Sequence, residues 1–383
     1  MYTSFDDGEH WQSLRLNLPA TSVRDLIVKD DDVAIATHGR GFWILDAVTA
    51  LRQIDGIEQG DAHLFAPAPA YRVRFNMNTD TPLPADESAG PNPPDGAVID
   101  YWLRTDAGGP VTLEILDAAG RLVRRYSSDE HPTLDLNPPV PAYWYRPPQA
   151  FSSAAGLHRF VWDLHYTPLT AGGGRGLPIS ATPHNTVAGP SSPWVAPGQF
   201  TVKLTAGGRA LTQPLVVRMD PRVKTPPLVL AQQSTLSKKL FDSVRALQTA
   251  DDDLRRIRGD VRSLQGRATG DVAQALADFD KQAAAIGGAP AGAGRGRGFG
   301  GGGGGRGVGI VAPLIPAASA EATQNMTLLQ AADRAPTTQV MAGVTAAQKS
   351  IADAMAKWTA LKVELTKLNA RLKAAGLDEI KMP

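Results

Sequence analysis

The 383-residue sequence predicts a multidomain β + α chain, all-β in its first portion and helical in its last. Three observations carry that expectation. Up to about residue 222, apolar residues fall in short runs of about four to eight, bounded by Gly, Pro, Asn and Asp, as in strands joined by turns. From about residue 226 they recur seven apart, as in Leu240, Leu247, Leu254 and Val261, which puts them on one helical face. The 38 Gly and 30 Pro argue for many turns and long loops.

Bulk properties exclude several classes. A hydrophobic content of 43% in a chain of this length is enough for real cores. The formal net charge is +1, so no global field draws the chain to nucleic acid or an anionic membrane. No apolar run is long enough to span a bilayer. The first residues, Met1-Tyr2-Thr3-Ser4-Phe5-Asp6-Asp7, lack the basic and apolar regions of a signal peptide. There is no cysteine, which removes disulfides, thiolate catalysis and cysteine-ligated metals, and which fits a bacterial exported protein.

Taken in order, residues 1–57 read as strands. Asp25–Lys29 and Val33–Thr37 flank an Asp30-Asp31-Asp32 turn, and His38-Gly39-Arg40-Gly41 turns into Phe42–Asp46. Residues 60–222 read as a β-sandwich of immunoglobulin or fibronectin type with long Pro/Gly-rich loops. Its candidate strands are Ala70–Phe75, Ala97–Arg104, Pro110–Leu116, Arg121–Tyr126, Gly156–Leu164, Gln199–Leu204 and Leu211–Met219. Residues 226–383 read as an antiparallel helical hairpin. Leu240 to Val261 mark one long helix and Val344, Ile351, Trp358, Leu365 and Leu372 the other, with a shorter helix at 271–286 and Pro336 opening the last. Between them, 14 of the 23 residues of 287–309 are Gly, which predicts a disordered insert.

The octet Ser4-Phe5-Asp6-Asp7-Gly8-Glu9-His10-Trp11 carries the most specific pattern. In a tight hairpin Asp6 accepts backbone N–H groups, Gly8 takes φ > 0, and Trp11 starts the returning strand with its ring expected to be buried. The pattern Ser-x-Asp-x-Gly-x-x-Trp resembles the Asp-box, or BNR repeat, of β-propellers, with His10 where Thr is commonest. Together with Ala36–Asp46, Pro94–Tyr101, Gly156–Leu164 and Leu368–Leu377, it resembles the C-terminal region of bacterial exported BNR/Asp-box, sortilin-like (VPS10-type) propeller proteins, commonly labelled glycosyl hydrolase. The resemblance implies partial β-propeller blades in 1–57, about one and a half of them, and a periplasmic or extracellular location. Because the octet falls inside a blade and starts at residue 4, the chain is expected to be the tail of a longer protein, with Met1 an internal start.

Each chemical reading competes with a structural one. Glycoside hydrolysis needs two carboxyls, about 5–5.5 Å apart for retention or roughly 6.5–9.5 Å for inversion. Asp6 and Asp7 lie in one hairpin, where Asp6 serves the turn. Asp30-Asp31-Asp32 lacks the alternation and distal Glu of a Ca²⁺ loop and reads as a solvated tip. The seven His residues form no helical zinc motif. His38 is read as a turn hydrogen bond, with Arg40 bound to a carboxylate or carbonyl. Asp163 and His165 read as an edge ion pair, since no Gly-x-Ser-x-Gly elbow accompanies them. Arg295–Gly300 with Arg306 has an RGG look, but reads as linker, and no Lys-Ser/Thr follows to make a phosphate loop. Trp102 and Trp162 read as core, whereas Tyr143-Trp144-Tyr145 in a Pro-rich loop is the candidate binding surface.

These expectations favour a non-catalytic structural and binding module, with glycan or protein recognition by the propeller. Its partners would be the remaining blades of a parent chain, and the helices would self-associate or brace the domains. The competing expectation is part of a glycoside hydrolase, sialidase-like or polysaccharide-acting, whose site lies in blades upstream. No catalytic residue, metal ligand or cofactor is assigned within this chain, and nucleic acid is not an expected partner.

Overall fold

The computed structural model describes residues 1–382 except 56, 75–82, 85, 88–89, 91, 133–140, 170–185, 187–191 and 289–312. The expected insert and the RGG-like run lie almost wholly outside the described residues. The chain divides into two compact units, one of residues 1–168 with 173–224, the other of 169–172 with 225–383. The first unit carries all the β structure and the second all the α-helices among the described residues.

The first unit opens with a two-stranded ribbon of β1 (Tyr2–Thr3) and β2 (Gln12–Ser13). A three-stranded antiparallel sheet follows, formed by β3 (Val23–Lys29), β4 (Asp32–Thr37) and β5 (Phe42–Leu45) in chain order. The Asp30-Asp31 hairpin is tied down, not simply solvated. Arg52 donates to the Asp31 carboxylate at 2.8 Å and to the Asp30 carbonyl at 2.7 Å, and the Asp32 carboxylate accepts the Ala47 N–H at 2.9 Å.

Eight further strands make two sheets. They are β6 (Ala62–Leu64), β7 (Ala70–Arg72), β8 (Ala97–Leu103), β9 (Thr112–Asp117), β10 (Leu122–Ser127), β11 (Gly156–Trp162), β12 (Gly198–Ala206) and β13 (Arg209–Met219). One sheet runs β10-β9-β12-β13-β7, and the other β11-β8-β6. All pairings are antiparallel except β13 with β7. Alternate residues of both sheets enter one core, including Ile99, Tyr101, Leu113, Ile115, Trp162, Val202, Leu204 and Leu215. Trp162 is fully buried as expected, and its Nε1 donates to the His165 carbonyl at 3.0 Å. Trp102 is half-buried on the opposite face of β8, against Ala50, Ile57 and Phe65.

Gly96 enters β8 with φ +148°, and a Cβ built there would stand 2.1 Å from the Trp162 carbonyl oxygen. Strand β11 lies so close that only hydrogen fits.

The second unit holds α1 (Pro227–Gln265), α2 (Gly270–Ile286), α3 (Leu314–Gln330) and α4 (Thr338–Ala374). The expected two-helix hairpin is corrected here. Helix α3 packs against both α1 and α4, and α2 also touches both, so the two long helices meet largely through the short ones. The buried face of α3 carries Ala318 and Ala322 where a heptad would carry Leu, and small side chains allow close approach. Pro336 does not open the last helix. Thr337 caps it, its hydroxyl accepting the Val340 N–H at 3.3 Å, and α4 begins at Thr338. Leu247, Leu254, Ile257, Val261, Trp358 and Leu365 share one core with α2 and α3 residues.

Two substitutions test this packing. Gly96→Ala should destabilise the β unit by more than about 1 kcal/mol, read from its chemical denaturation midpoint. Leu247→Asp puts an unpaired charge into the helical core and should abolish most far-UV helicity; an unchanged spectrum would contradict the packing.

Candidate functional site

The N-terminal turn is built by its own side chains. The Ser4 hydroxyl donates to the Asp6 carboxylate at 2.8 Å and accepts the Gly8 N–H at 2.8 Å. Asp6 in turn accepts the His10 N–H at 2.9 Å and lies 2.5 Å from His10 Nδ1. These bonds, the backbone N–H of His10 first, hold the Asp6 carboxyl below its ordinary pKa. Asp7 (φ 55°) and Gly8 (φ 98°) both adopt left-handed backbone.

Trp11 departs from expectation. Its ring is 63% exposed, lies along the turn and donates from Nε1 to the Gly8 carbonyl at 3.0 Å. Among the described residues no neighbouring strand covers it, so the turn is closed but its ring is exposed.

Asp6, Glu9 and His10 bring one donor atom each to within 4.8 Å of one another. That is the spacing of a cation site, yet both Asp6 oxygens already serve Ser4 and His10, and Glu9 and His10 are exposed. The chemistry of this cluster is that of a turn.

The sheet β3-β4-β5 has one exposed face and one partly covered face. Strand register places Leu26, Ile35 and Trp43 in one row and Val28, Val33 and Leu45 in the next on the same face. The segment after β2 partly lids that face, leaving a shallow cleft of mixed polarity whose lining includes Arg15, Leu16, Asn17, Leu18, Ile35 and Trp43. The other face carries Ile27, Ala34 and Ile44 in one row and Ala36 and Phe42 in another. Ile27 and Ile44 are exposed, and Phe42 is 84% exposed. Every residue of β3 is exposed. The side chains of His38 and Arg40 find no polar partner among the described residues. The expected carboxylate or carbonyl for Arg40 is therefore not there, and its own carbonyl accepts Trp43 Nε1 at 3.0 Å.

The Tyr143-Trp144-Tyr145 loop is only partly a surface. Ala142–Trp144 form a single 3-10 turn, and the Tyr143 and Trp144 rings meet edge to face at 6.2 Å between centroids. Tyr145 pairs with Thr186, whose N–H donates to the Trp144 carbonyl at 3.0 Å, and Arg146 pairs with Asp95. Tyr143 is exposed, while Trp144 and Tyr145 are half-buried. The three rings do not form one flat platform.

His165 is also corrected. It lies beyond the end of β11, after Leu164 in left-handed backbone (φ 59°), and is 6% exposed. Its Nδ1 lies 2.7 Å from the Asp163 carbonyl, and the nearest Asp163 carboxylate oxygen is 4.0 Å away. The ring packs on Trp194 with centroids 4.2 Å apart. Burial pushes its pKa down despite Asp163, and Arg124 and Arg72 push the same way, so it is a neutral buried imidazole and not half of an edge ion pair.

Comparison with known protein families, curated proteins and solved structures finds no match to this chain. Among the described residues no helix is long and apolar enough to cross a membrane. The consecutive apolar positions of Leu26-Ile27-Val28 and Phe42-Trp43-Ile44 are the sequence signal of a sheet with two apolar faces, which one and a half expected blades could not bury alone.

Because the His165 pKa is lower in the folded chain, the unfolded chain binds the extra proton between the two pKa values. Stability contributed by the neutral ring is complete above the unfolded pKa of about 6.5 and is lost as pH falls below it. The melting temperature of the β unit should drop across that acidic range, and His165→Leu should flatten the drop.

Proposed function

We propose that this chain is the non-catalytic structural and binding portion of an exported Asp-box propeller protein, recognising a glycan or a protein. The carrying observation is the β3-β4-β5 sheet, apolar on both faces, with the Ile27, Ile44 and Phe42 face exposed and the other only partly covered by the segment after β2. A monomeric soluble protein rarely leaves such surface uncovered, and stacked β-sheets are the ordinary way to cover it. In this reading the sheet is one blade, the Ser4–Trp11 turn belongs to a neighbouring partial blade, and further blades cover Trp11, Ile27, Phe42 and Ile44. The small Ala34 and Ala36 in the middle strand leave room for that approach.

The eight later strands fit an immunoglobulin-type sandwich in this reading. A first strand split between the sheets, β6 antiparallel to β8 and β7 parallel to β13, supports the assignment. The sandwich and the helices would then carry and space the propeller, with the half-open Tyr143 loop as a secondary contact surface.

Hydroxyl-radical footprinting tests the proposal. Phe42 and Ile44 should oxidise readily in the isolated chain and be protected in the protein as its own cell produces it. Equal oxidation in both would overturn the blade assignment. Release of sugar from a glycoside panel by the purified chain would overturn the non-catalytic one.

A further inference from the structure

The three-stranded sheet has a second unpartnered feature, independent of its faces. Among the described residues strand β3 is an edge, paired with β4 alone, and all seven of its residues are exposed. An exposed edge presents a row of N–H and C=O groups ready to pair with another strand. The Leu26 N–H points away from β4, for it is taken up by the neighbouring Asp25 carboxylate at 2.9 Å. Alternation then turns the N–H and C=O of Leu26 and Val28 outward and those of Ile27 toward β4.

The sequence of this edge is self-complementary. Arg24-Asp25-Leu26-Ile27-Val28-Lys29-Asp30 has the signs of its charges inverted when read backward, with apolar residues at the centre. Laid antiparallel on a second copy and centred on Ile27, it sets Asp25 opposite Lys29, Leu26 opposite Val28, and Ile27 opposite itself. The outward groups fall into place in the same register. Leu26 and Val28 of opposite copies exchange both backbone hydrogen bonds, and Ile27 forms a close non-hydrogen-bonded pair. A shift of one position sets Arg24 opposite Lys29 in one direction or Asp25 opposite Asp30 in the other, like charge on like, and loses the match.

We propose that the β3 edge pairs with the β3 edge of a second copy of this chain, antiparallel about Ile27, joining two three-stranded sheets into one of six. The two-fold symmetry requires the same patch on both chains, and the strand supplies it. Two contacts must be released, and both are exposed to water: the Leu26 N–H leaves the Asp25 carboxylate for the carbonyl of the other copy's Val28, and Lys29 leaves Asp30, a pair 2.8 Å apart and more than three-quarters exposed on both sides. Pairing uses the edge and leaves both faces free, so it does not depend on what covers them.

The absence of cysteine makes a clean test. In the proposed register the two Ile27 Cα atoms lie about 4.5 Å apart, within disulfide range. In the full chain, Ile27→Cys should form a disulfide-linked dimer under mild oxidation, while Phe42→Cys, on the opposite edge, should remain monomeric. By light scattering the parent chain should show concentration-dependent dimer. Asp25→Lys alone and Lys29→Asp alone should each lose it, and the double variant Asp25→Lys/Lys29→Asp should regain it. A monomeric mass at every attainable concentration would overturn the proposal. So would a dimer indifferent to the charge swaps, which would place the contact elsewhere, or equal cross-linking at Phe42→Cys. None of these outcomes alters the footprint expected at Phe42 and Ile44, so the edge pairing and the blade reading fail separately.

Discussion

A single buried carboxylate ties the β unit together. Asp100 lies in the middle of β8, where its neighbours Ile99 and Tyr101 face the core, and a charge so placed must be paired or neutralised. Arg159, its cross-strand partner on β11, grips it with Nε at 2.9 Å and Nη2 at 3.1 Å. The same guanidinium donates to the carbonyls of Asp46 at 2.9 Å and Ala47 at 2.6 Å, where the chain leaves β5. One planar fork thus satisfies the buried charge and anchors the open sheet to the two-sheet core. Gln53, bonded to both the N–H and the carbonyl of Ala66, and the Ala50, Ile57 and Phe65 cluster reinforce the same joint. Asp46 sits between this fork and Asp32, and partial burial with that second carboxylate raises its pKa. The exposed face of β3-β4-β5 is consequently presented by a fixed support.

The helical unit solves a different problem. Two helices of 39 and 37 residues cannot bury their faces on each other alone when the intervening helices occupy the space between. The unit accepts several buried polar groups to set that arrangement. Gln233 donates to the Ala332 carbonyl at 2.7 Å and also to that of Leu329, and Gln330 donates to the Ser237 hydroxyl at 2.7 Å, so the α1–α3 contact has a specified register. Gly343 on α4 faces the Asn325 side chain so closely that a Cβ would stand 2.3 Å from its Oδ1. Apolar packing alone would permit sliding; these contacts do not.

Much of the fold was legible because its signals are local. The strands from Ala97 to Met219 were read to within two residues at each end, since β-branched and aromatic runs end at Gly, Pro and Asp turns. The heptad spacing in α1 and α4 likewise reports a buried face directly. Helix α3 was not legible, because Ala, Ser and Thr dominate it and an alanine face gives little hydrophobic contrast. Strand β6 has only three residues, too few for a period. At the candidate site, Ser4, Asp6 and Gly8 announce a turn because their roles lie within four residues of one another. The exposure of Trp11 and the burial of His165 depend on what lies beyond the local chain, and no spacing rule encodes that.

The exit of α2 carries a consequence for the architecture of the helical unit. Arg258 of α1 donates to the carbonyls of Gly287 and Gly288 at 3.0 and 2.9 Å, and Asp251 accepts the Gly288 N–H at 2.7 Å. Arg258 is itself held by Asp280 at 2.7 Å, so the end of α2 is clamped from two directions. Gly288 has φ 66° and approaches the α1 backbone too closely for a side chain. The clamp makes this point a mechanical terminus: changes in the number of residues beyond it are isolated from the register of the helices before it.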